Sequence, residues 1–142
     1  MGDLIKLSDV QSLEEMILAA PQVELNTTHA LSGGMYARTI FIPAGTVLTG
    51  ATHKTDHLNI VCGDISVTTD EGMRRMTGYH VLTTKSGMKR AGFAHADTMW
   101  TTVCKTDQIE LEAIENELVE EADKLQTRKL QITSNDTKRI KE

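Results

Sequence analysis

Two short segments hold most of the side chains that could do chemistry. Residues 53–57 read HKTDH and residues 90–97 read RAGFAHAD, and together they contain three of the five histidines. Imidazole and carboxylate groups bind divalent transition metals, whereas imidazole and guanidinium groups bind phosphate or carboxylate. The two segments therefore predict a metal site or a small-anion site.

A metal site is the first interpretation. Residues two or four apart in a strand share a face, so His53 and His57 point the same way if their segment stays extended. If the chain turns there, Asp56 faces inward in place of His57, and the sequence leaves this open. The predicted ligands are His53, His57, His95 and Asp56, and they suit Zn, Fe, Mn or Ni.

An anion site is the second interpretation. The predicted donors to a small anionic ligand are His53, His57, Lys89, Arg90 and His95. Imidazolium, ammonium and guanidinium groups suit phosphate or carboxylate. A third interpretation makes each histidine an ordinary polar residue at the rim of a barrel. No catalytic residue is identified, because neither a nucleophile elbow nor a phosphate loop is present.

The elements that must position these segments are short strands. Ser8 to Ala20 predicts a helix that Pro21 ends, and from residue 36 the apolar period changes from helical spacing to two. Turn residues every eight to ten positions then favour an antiparallel sandwich or barrel. The predicted strands are 37–42, 46–53, 58–67 with an interruption at 63–64, 74–84, 90–94 and 98–104.

A second helix is predicted from Asp107 to about Leu130, where glycine and proline are absent. Its apolar stripe comprises Ile109, Leu111, Ile114, Leu118, Ala122 and Leu125. Packing back on the barrel is the favoured interpretation, and a self-association seam is the alternative. The predicted organisation is 1–35 helix and lead-in, 36–105 barrel, 106–132 helix and 133–142 polar tail.

Composition excludes several classes of partner. The chain has 142 residues and a net charge of −5, which argues against direct nucleic-acid binding. It has no apolar run long enough to span a membrane and no secretion-signal pattern near its first residue. Cys62 and Cys104 follow apolar residues and are predicted to be buried free thiols in a reducing cytoplasm.

Two stretches resemble motifs of the cupin superfamily. Residues 41–47, FIPAGTV, followed by His53, His57 and residues 60–67, IVCGDISV, are similar to the first cupin motif. Residues 86–95 are similar to the second, in which a turn precedes a ligand histidine, here His95. Residues 90–118 also resemble small cupin-like proteins of tailed bacteriophages.

The resemblance implies a mainly β fold, a single cupin-like jelly-roll barrel with a short N-terminal helix and a longer C-terminal one. Cupin metal sites use H-x-H and a glutamate, whereas this chain has H-x-x-x-H with Asp56 near the glutamate position. The favoured function is therefore a non-enzymatic, homo-oligomeric phage protein that is a virion component or assembly accessory. The alternatives are a protein that binds or sequesters a small anionic metabolite or nucleotide, and a metal-dependent cupin enzyme.

The resemblance also sets expectations about partners and location. The expected partners are copies of the same chain, other virion proteins and a small anionic ligand. The expected location is the host cytoplasm or the virion.

Overall fold

Seven antiparallel strands form one curled sheet, flanked by two helices, in the computed structural model. The structure describes residues 7–19, 25–120 and 122. The elements are α1 (Leu7–Ala19), β1 (Asn26–Ser32), β2 (Met35–Ile42), β3 (Val47–Thr49), β4 (His57–Thr69), β5 (Gly72–Thr84), β6 (Ala91–Ala94), β7 (Thr98–Lys105) and α2 (Leu111–Leu118). The predicted jelly-roll architecture, mainly β with an N-terminal and a C-terminal helix, is confirmed.

Strand β4 organises the sheet. The strand order is β1-β2-β7-β4-β6-β3, and β5 pairs with β4 along its whole length. On its other edge, β4 pairs first with β7 over Leu58–Cys62 and then with β6 over Ile65–Val67. One long strand therefore belongs to both halves of the barrel, where the sequence predicted two pieces.

Gly63 makes this change of partner possible. Its φ is +150°, and a Cβ at this position would lie 2.5 Å from Thr98 Oγ1 and 2.8 Å from the Asp97 carbonyl oxygen. The Thr98 hydroxyl accepts a hydrogen bond from the backbone N–H of Asp64 at 3.1 Å. Glycine is required here because any side chain would collide with the start of β7.

Two apolar clusters hold the fold together. The first lies inside the barrel and comprises Ile42, Val61, Ile65, Val67, Met76 and Ala94. The second joins α2 to the sheet and comprises Tyr36, Cys104, Leu111, Ile114, Leu118, Val119 and Ala122. A fully buried aliphatic side chain contributes about 1.5–3 kcal/mol, so α2 is bound to its own barrel. The favoured interpretation of its stripe is confirmed for Leu111, Ile114, Leu118 and Ala122.

The second helix is shorter than predicted. It begins at Leu111 rather than Asp107, because the Thr106 hydroxyl accepts a hydrogen bond from the Gln108 N–H in a turn. It ends at Leu118, because Val119 is extended and forms a β-bridge with His53. Leu125 and the polar tail 133–142 lie outside the described residues.

The sheet begins earlier than predicted. Strand β1 lies within the segment interpreted as a lead-in, because its sequence NTTHALS is too polar to show the alternation. His29 is buried in it, with its Nδ1 2.6 Å from the Tyr36 hydroxyl. Helix α1 begins one residue before its predicted start. No helix among the described residues is long and apolar enough to cross a membrane.

The two cysteines differ. Cys104 is a buried free thiol as predicted, and burial raises its pKa to about 11. Cys62 is also a free thiol as predicted, but the prediction that it is buried is wrong, since its side chain lies on the exposed outer face of β4.

Candidate functional site

A cavity opens into the barrel between its two halves. The space inside it that the centre of a water molecule can reach is about 90 Å³. The deeper wall is apolar and includes Ile40, Ile42, Leu48, Ile65, Val67 and Trp100. The polar wall comprises Arg38, His53, His57, Asn59, Thr84, Arg90 and Thr102. An apolar chamber with a few converging polar groups is the usual form of a small-molecule site.

Two arginines give the cavity its charge. Arg38 comes from β2, and Arg90 immediately precedes β6. The residues that line the cavity include no aspartate and no glutamate. Since a guanidinium stays protonated in proteins, the wall carries two positive charges without a carboxylate among its lining residues.

The hydrogen bonds of these arginines are incomplete. Arg90 donates to the Thr68 carbonyl oxygen at 2.6 Å and to the Thr84 hydroxyl at 3.0 Å. Its Nε and that of Arg38 are both buried, and neither finds an acceptor in the part of the chain that the structure describes. A buried donor without a partner costs about 1–3 kcal/mol, so both positions favour a bound acceptor.

A chain of hydrogen bonds fixes the wall between the arginines. The Thr84 hydroxyl accepts from Arg90 and donates to Asn59 Oδ1 at 2.6 Å. Asn59 Nδ2 then donates to Thr102 Oγ1 at 3.0 Å. A threonine hydroxyl both accepts and donates, so Thr102 can accept from Asn59 and donate to a ligand at the same time.

The two histidines lie against each other at the mouth, with ring centroids 4.1 Å apart. His53 Nδ1 is 3.2 Å from the Ala51 carbonyl oxygen, and His57 Nδ1 is 3.0 Å from that of Thr55. A carbonyl oxygen only accepts, so each Nδ1 carries the proton and each neutral ring keeps its Nε2 lone pair.

Their surroundings favour the neutral form. Burial lowers the pKa of His53 to about 4, with smaller contributions from the His57, Arg38 and Lys89 charges. Burial, with the Arg90 charge, also lowers the pKa of His57. Both rings are therefore uncharged at neutral pH in this structure.

The structure separates the other predicted site residues from the cavity. His95 follows β6 and lies on the outside, where its Nε2 is 2.7 Å from the Ser66 hydroxyl and its ring packs edge-on against Phe93. Asp56 is exposed and accepts a hydrogen bond from the Ser86 N–H at 2.8 Å. Lys89 donates to the Gly50 carbonyl oxygen and pairs with Glu14 at 2.9 Å.

The predicted metal ligands are therefore not assembled. Within residues 7–19, 25–120 and 122, no three histidine, cysteine, aspartate or glutamate side chains form a group that could hold a metal ion. Of the predicted set, His53 and His57 reach the cavity and His95 and Asp56 do not. Two guanidinium groups beside two imidazoles repel a divalent cation, so this donor set does not fit a metal.

Arg38, Asn59, Thr84 and Thr102 are cavity residues that the sequence analysis missed. Arg38 had a detectable signal, because it occupies the same face of β2 as the inward residues Ile40 and Ile42. A charge at an inward position of a strand costs stability unless it has a partner or a function. The threonines carry no such signal, since threonine is common on either face of a strand.

Comparisons with solved structures agree with the fold of the barrel. A cupin superfamily protein from Desulfitobacterium hafniense matches with a TM-score of 0.50 and 15% identity, covering 62% of this chain and 83% of that one. KdgF from a Halomonas species matches with a TM-score of 0.51 and 15% identity, covering 62% and 87%. The chain has a cupin fold.

The likeness extends no further than the fold. A Neisseria meningitidis protein matches the cupin barrel with a TM-score of 0.50 and 10% identity, covering 66% of this chain and 96% of that one. No family model matches the sequence, and no curated protein matches it. Nothing in these comparisons links the chain to tailed bacteriophages, so the virion or assembly role stays a prediction.

Proposed function

We propose that this cupin barrel binds a small organic anion, with a phosphate or carboxylate group held between Arg38 and Arg90. The observation that carries the proposal is a pair of half-buried arginines, each with a buried Nε atom, in a cavity whose lining includes no carboxylate. An oxyanion would neutralise both charges and accept from both Nε–H groups. The same contacts explain why two charges are kept inside a barrel.

The apolar part of the lining favours a ligand with an apolar body. Trp100, Ile65 and Val67 all line the cavity. An indole ring presents a flat apolar face, and aromatic rings stack on it in an offset arrangement. An inorganic anion would leave this wall in contact with water, whereas an aromatic phosphate or carboxylate would cover it.

The histidines add a hydrogen-bonding edge at the mouth. In their neutral form, the Nε2 atoms of His53 and His57 accept hydrogen bonds from a ligand hydroxyl or amine. This wall therefore suits a ligand with both an anionic end and a donor group.

Isothermal titration calorimetry tests the proposal with three anionic probes: phenyl phosphate, benzoate and AMP. Phenol, benzamide and adenosine are the respective matched neutral compounds for phenyl phosphate, benzoate and AMP. We expect saturable binding of at least one anion and none of its neutral counterpart. The three anions distinguish an aromatic phosphate, an aromatic carboxylate and a nucleotide as the preferred class.

Variants of the arginines locate the binding. Arg38→Gln and Arg90→Gln should each weaken binding about tenfold to a hundredfold, because a hydrogen bond to a charged group is worth about 1.5–3 kcal/mol. Arg74→Gln, which removes an exposed arginine of β5, is the matched control and should bind normally. Equal binding by all three variants, or no binding of any anion, would contradict the proposal.

A further inference from the structure

The connection between β5 and β6 borders the cavity, and the anion site leaves its function unexplained. Residues 85–88 of this connection define the mouth turn. Met88 lines the cavity and is half-buried, whereas the other three residues of the turn are exposed. Met88 is therefore the residue through which the mouth turn meets a ligand.

Both ends of the mouth turn are fixed. Before it, Thr84 is buried and lies in the hydrogen-bonded wall of the cavity. After it, the Lys89 side chain is 7% exposed, and its ammonium group donates to the Gly50 carbonyl oxygen at 2.8 Å and pairs with Glu14 at 2.9 Å. Movement between these ends is therefore confined to the turn itself.

The contacts of the mouth turn are few and exposed. The Asp56 carboxylate accepts a hydrogen bond from the Ser86 N–H at 2.8 Å. The His53 carbonyl oxygen accepts one from the Gly87 N–H, also at 2.8 Å. The Lys85 ammonium group lies 3.6 Å from Asp56, but its side chain is 84% exposed, and exposed ion pairs contribute little to stability. A segment held by a few exposed hydrogen bonds opens more often than the barrel does.

The surface under the mouth turn is rigid by comparison. The Lys54 N–H donates to the Leu118 carbonyl oxygen at 2.7 Å, beside the β-bridge between His53 and Val119. His57 begins β4 and is buried. The turn, rather than the segment that carries the two histidines, is therefore the part of the mouth that moves.

We propose that the mouth turn is a lid, with Met88 as the side chain that covers the bound anion and Asp56 as the latch. The proposal rests on the anion site proposed above. In the latched state Met88 completes the cavity wall, and release of Ser86 and Gly87 opens a path into the cavity. A methionine suits this position, because its flexible thioether adapts to the shape of a ligand and packs against aromatic rings.

The latch depends mainly on Asp56. A hydrogen bond to a carboxylate is stronger than one between neutral groups, so the contact with Ser86 holds the turn more firmly than the contact between Gly87 and His53 does. The sequence analysis considered Asp56 as a metal ligand. In the lid its carboxylate binds the backbone of the turn instead.

Alkylation of a thiol at position 88 tests the lid in ligand-free protein. Met88→Cys is combined with Cys62→Ser, because Cys62 is exposed, whereas Cys104 is buried. Adding Asp56→Ala should speed the reaction with iodoacetamide about tenfold, since a hydrogen bond to a charged group is lost. Asp56→Asn loses the charge but keeps an oxygen acceptor for Ser86, so it should speed the reaction less than about threefold.

Glu71→Ala is the matched control, because it removes an exposed carboxylate from the hairpin between β4 and β5. It should leave the alkylation rate at position 88 unchanged. Equal rates in the proteins that carry Asp56→Ala and Glu71→Ala would overturn the lid, whether or not an anion binds.

Phenyl phosphate then tests the connection between the lid and the cavity. At about ten times its dissociation constant, it should slow the alkylation at position 88 about tenfold, because it binds the closed state. Phenol at the same concentration should not slow it. Calorimetric binding of phenyl phosphate without this protection would overturn the lid and leave the anion site standing. Faster alkylation in Asp56→Ala, with no binding of phenyl phosphate, benzoate or AMP, would confirm that the turn opens and contradict the anion site.

Discussion

The two faces of one sheet have exchanged their usual roles. On the inner face, β2, β4 and β7 carry Arg38, Asn59 and Thr102 toward the cavity. On the outer face, the same three strands carry Phe41, Ile60 and Met99 toward solvent. An antiparallel sheet with one solvated side normally has the reverse pattern, apolar inside and polar outside.

This exchange indicates that the inner face is made for a partner. Polar groups inside a barrel cost stability unless a ligand or a network satisfies them, and apolar groups outside favour aggregation unless another surface covers them. The deeper end of the barrel keeps the ordinary pattern, since Val61, Ile65 and Met76 are buried there. The inversion is therefore confined to the part of the sheet that borders the cavity mouth.

Gly63→Ala should cause the largest loss of stability, because it disturbs the strand that both faces of the sheet share. A methyl group here would meet Thr98 and Asp97 at distances below 3.0 Å and would hold a φ that other residues avoid. We expect a loss of about 4 kcal/mol in the free energy of unfolding, measured in urea.

Gly78→Ala is the matched control for that variant. Gly78 lies opposite Gly63 in the β4–β5 pair and also has a positive φ of +82°, but nothing lies within 4 Å of the added carbon. It should lose about 1 kcal/mol. Equal losses in the two variants would show that the contact with β7 is unimportant.

The second largest effect should be a loss of stability in acid, which arises on the inner face of the sheet. The pKa of His53 is about 4 in the folded chain and 6.5 when unfolded, so the unfolded state binds more protons between these values. The stabilisation is complete above pH 6.5 and is lost as the pH falls toward 4, by about 3 kcal/mol. Urea unfolding at pH 7 and pH 4 measures it. His53→Gln should show a smaller loss than the unmutated chain, whereas His80→Gln should not.

Adjacent residues of β4 compare the two faces directly. Asn59→Ala removes two buried hydrogen bonds and should cost about 2–3 kcal/mol, because Thr84 and Thr102 lose a partner. Leu58→Ala, at a 42% exposed outer position, should cost about 1 kcal/mol or less in dilute protein. A larger loss at Leu58 than at Asn59 would reverse the assignment of the faces.

The smallest expected effect is a gain in stability rather than a loss. Arg38→Met should raise the free energy of unfolding by about 1 kcal/mol in ligand-free protein, because it removes a half-buried charge whose buried Nε finds no acceptor among the described residues. Arg74→Met, at an exposed position, should change it by less than about 0.5 kcal/mol. Destabilisation by Arg38→Met would instead make Arg38 a structural residue.

The sequence predicted the barrel well because apolar and polar residues alternate along most strands and glycine marks the turns. It failed for β1, whose polar residues hide the alternation, and for the end of α2, where pairing of Val119 with His53 overrides helix propensity. Of the predicted ligand-binding residues, His53, His57 and Arg90 line the cavity, and the choice between His57 and Asp56, which the sequence left open, falls to His57. His95 was misplaced because strand period alone does not reveal which side of the sheet a residue takes after a turn. Arg38 was missed because its cavity partners are distant in sequence.

The most direct test of the cavity is the fluorescence of Trp100, the single tryptophan of the chain and part of the cavity wall. Titration with phenyl phosphate should give a saturable change that phenol does not give. The change should be lost in Arg38→Met and kept in Arg74→Met. An unchanged signal with phenyl phosphate, benzoate and AMP, or an equal response to phenol, would contradict an anion site between Arg38 and Arg90.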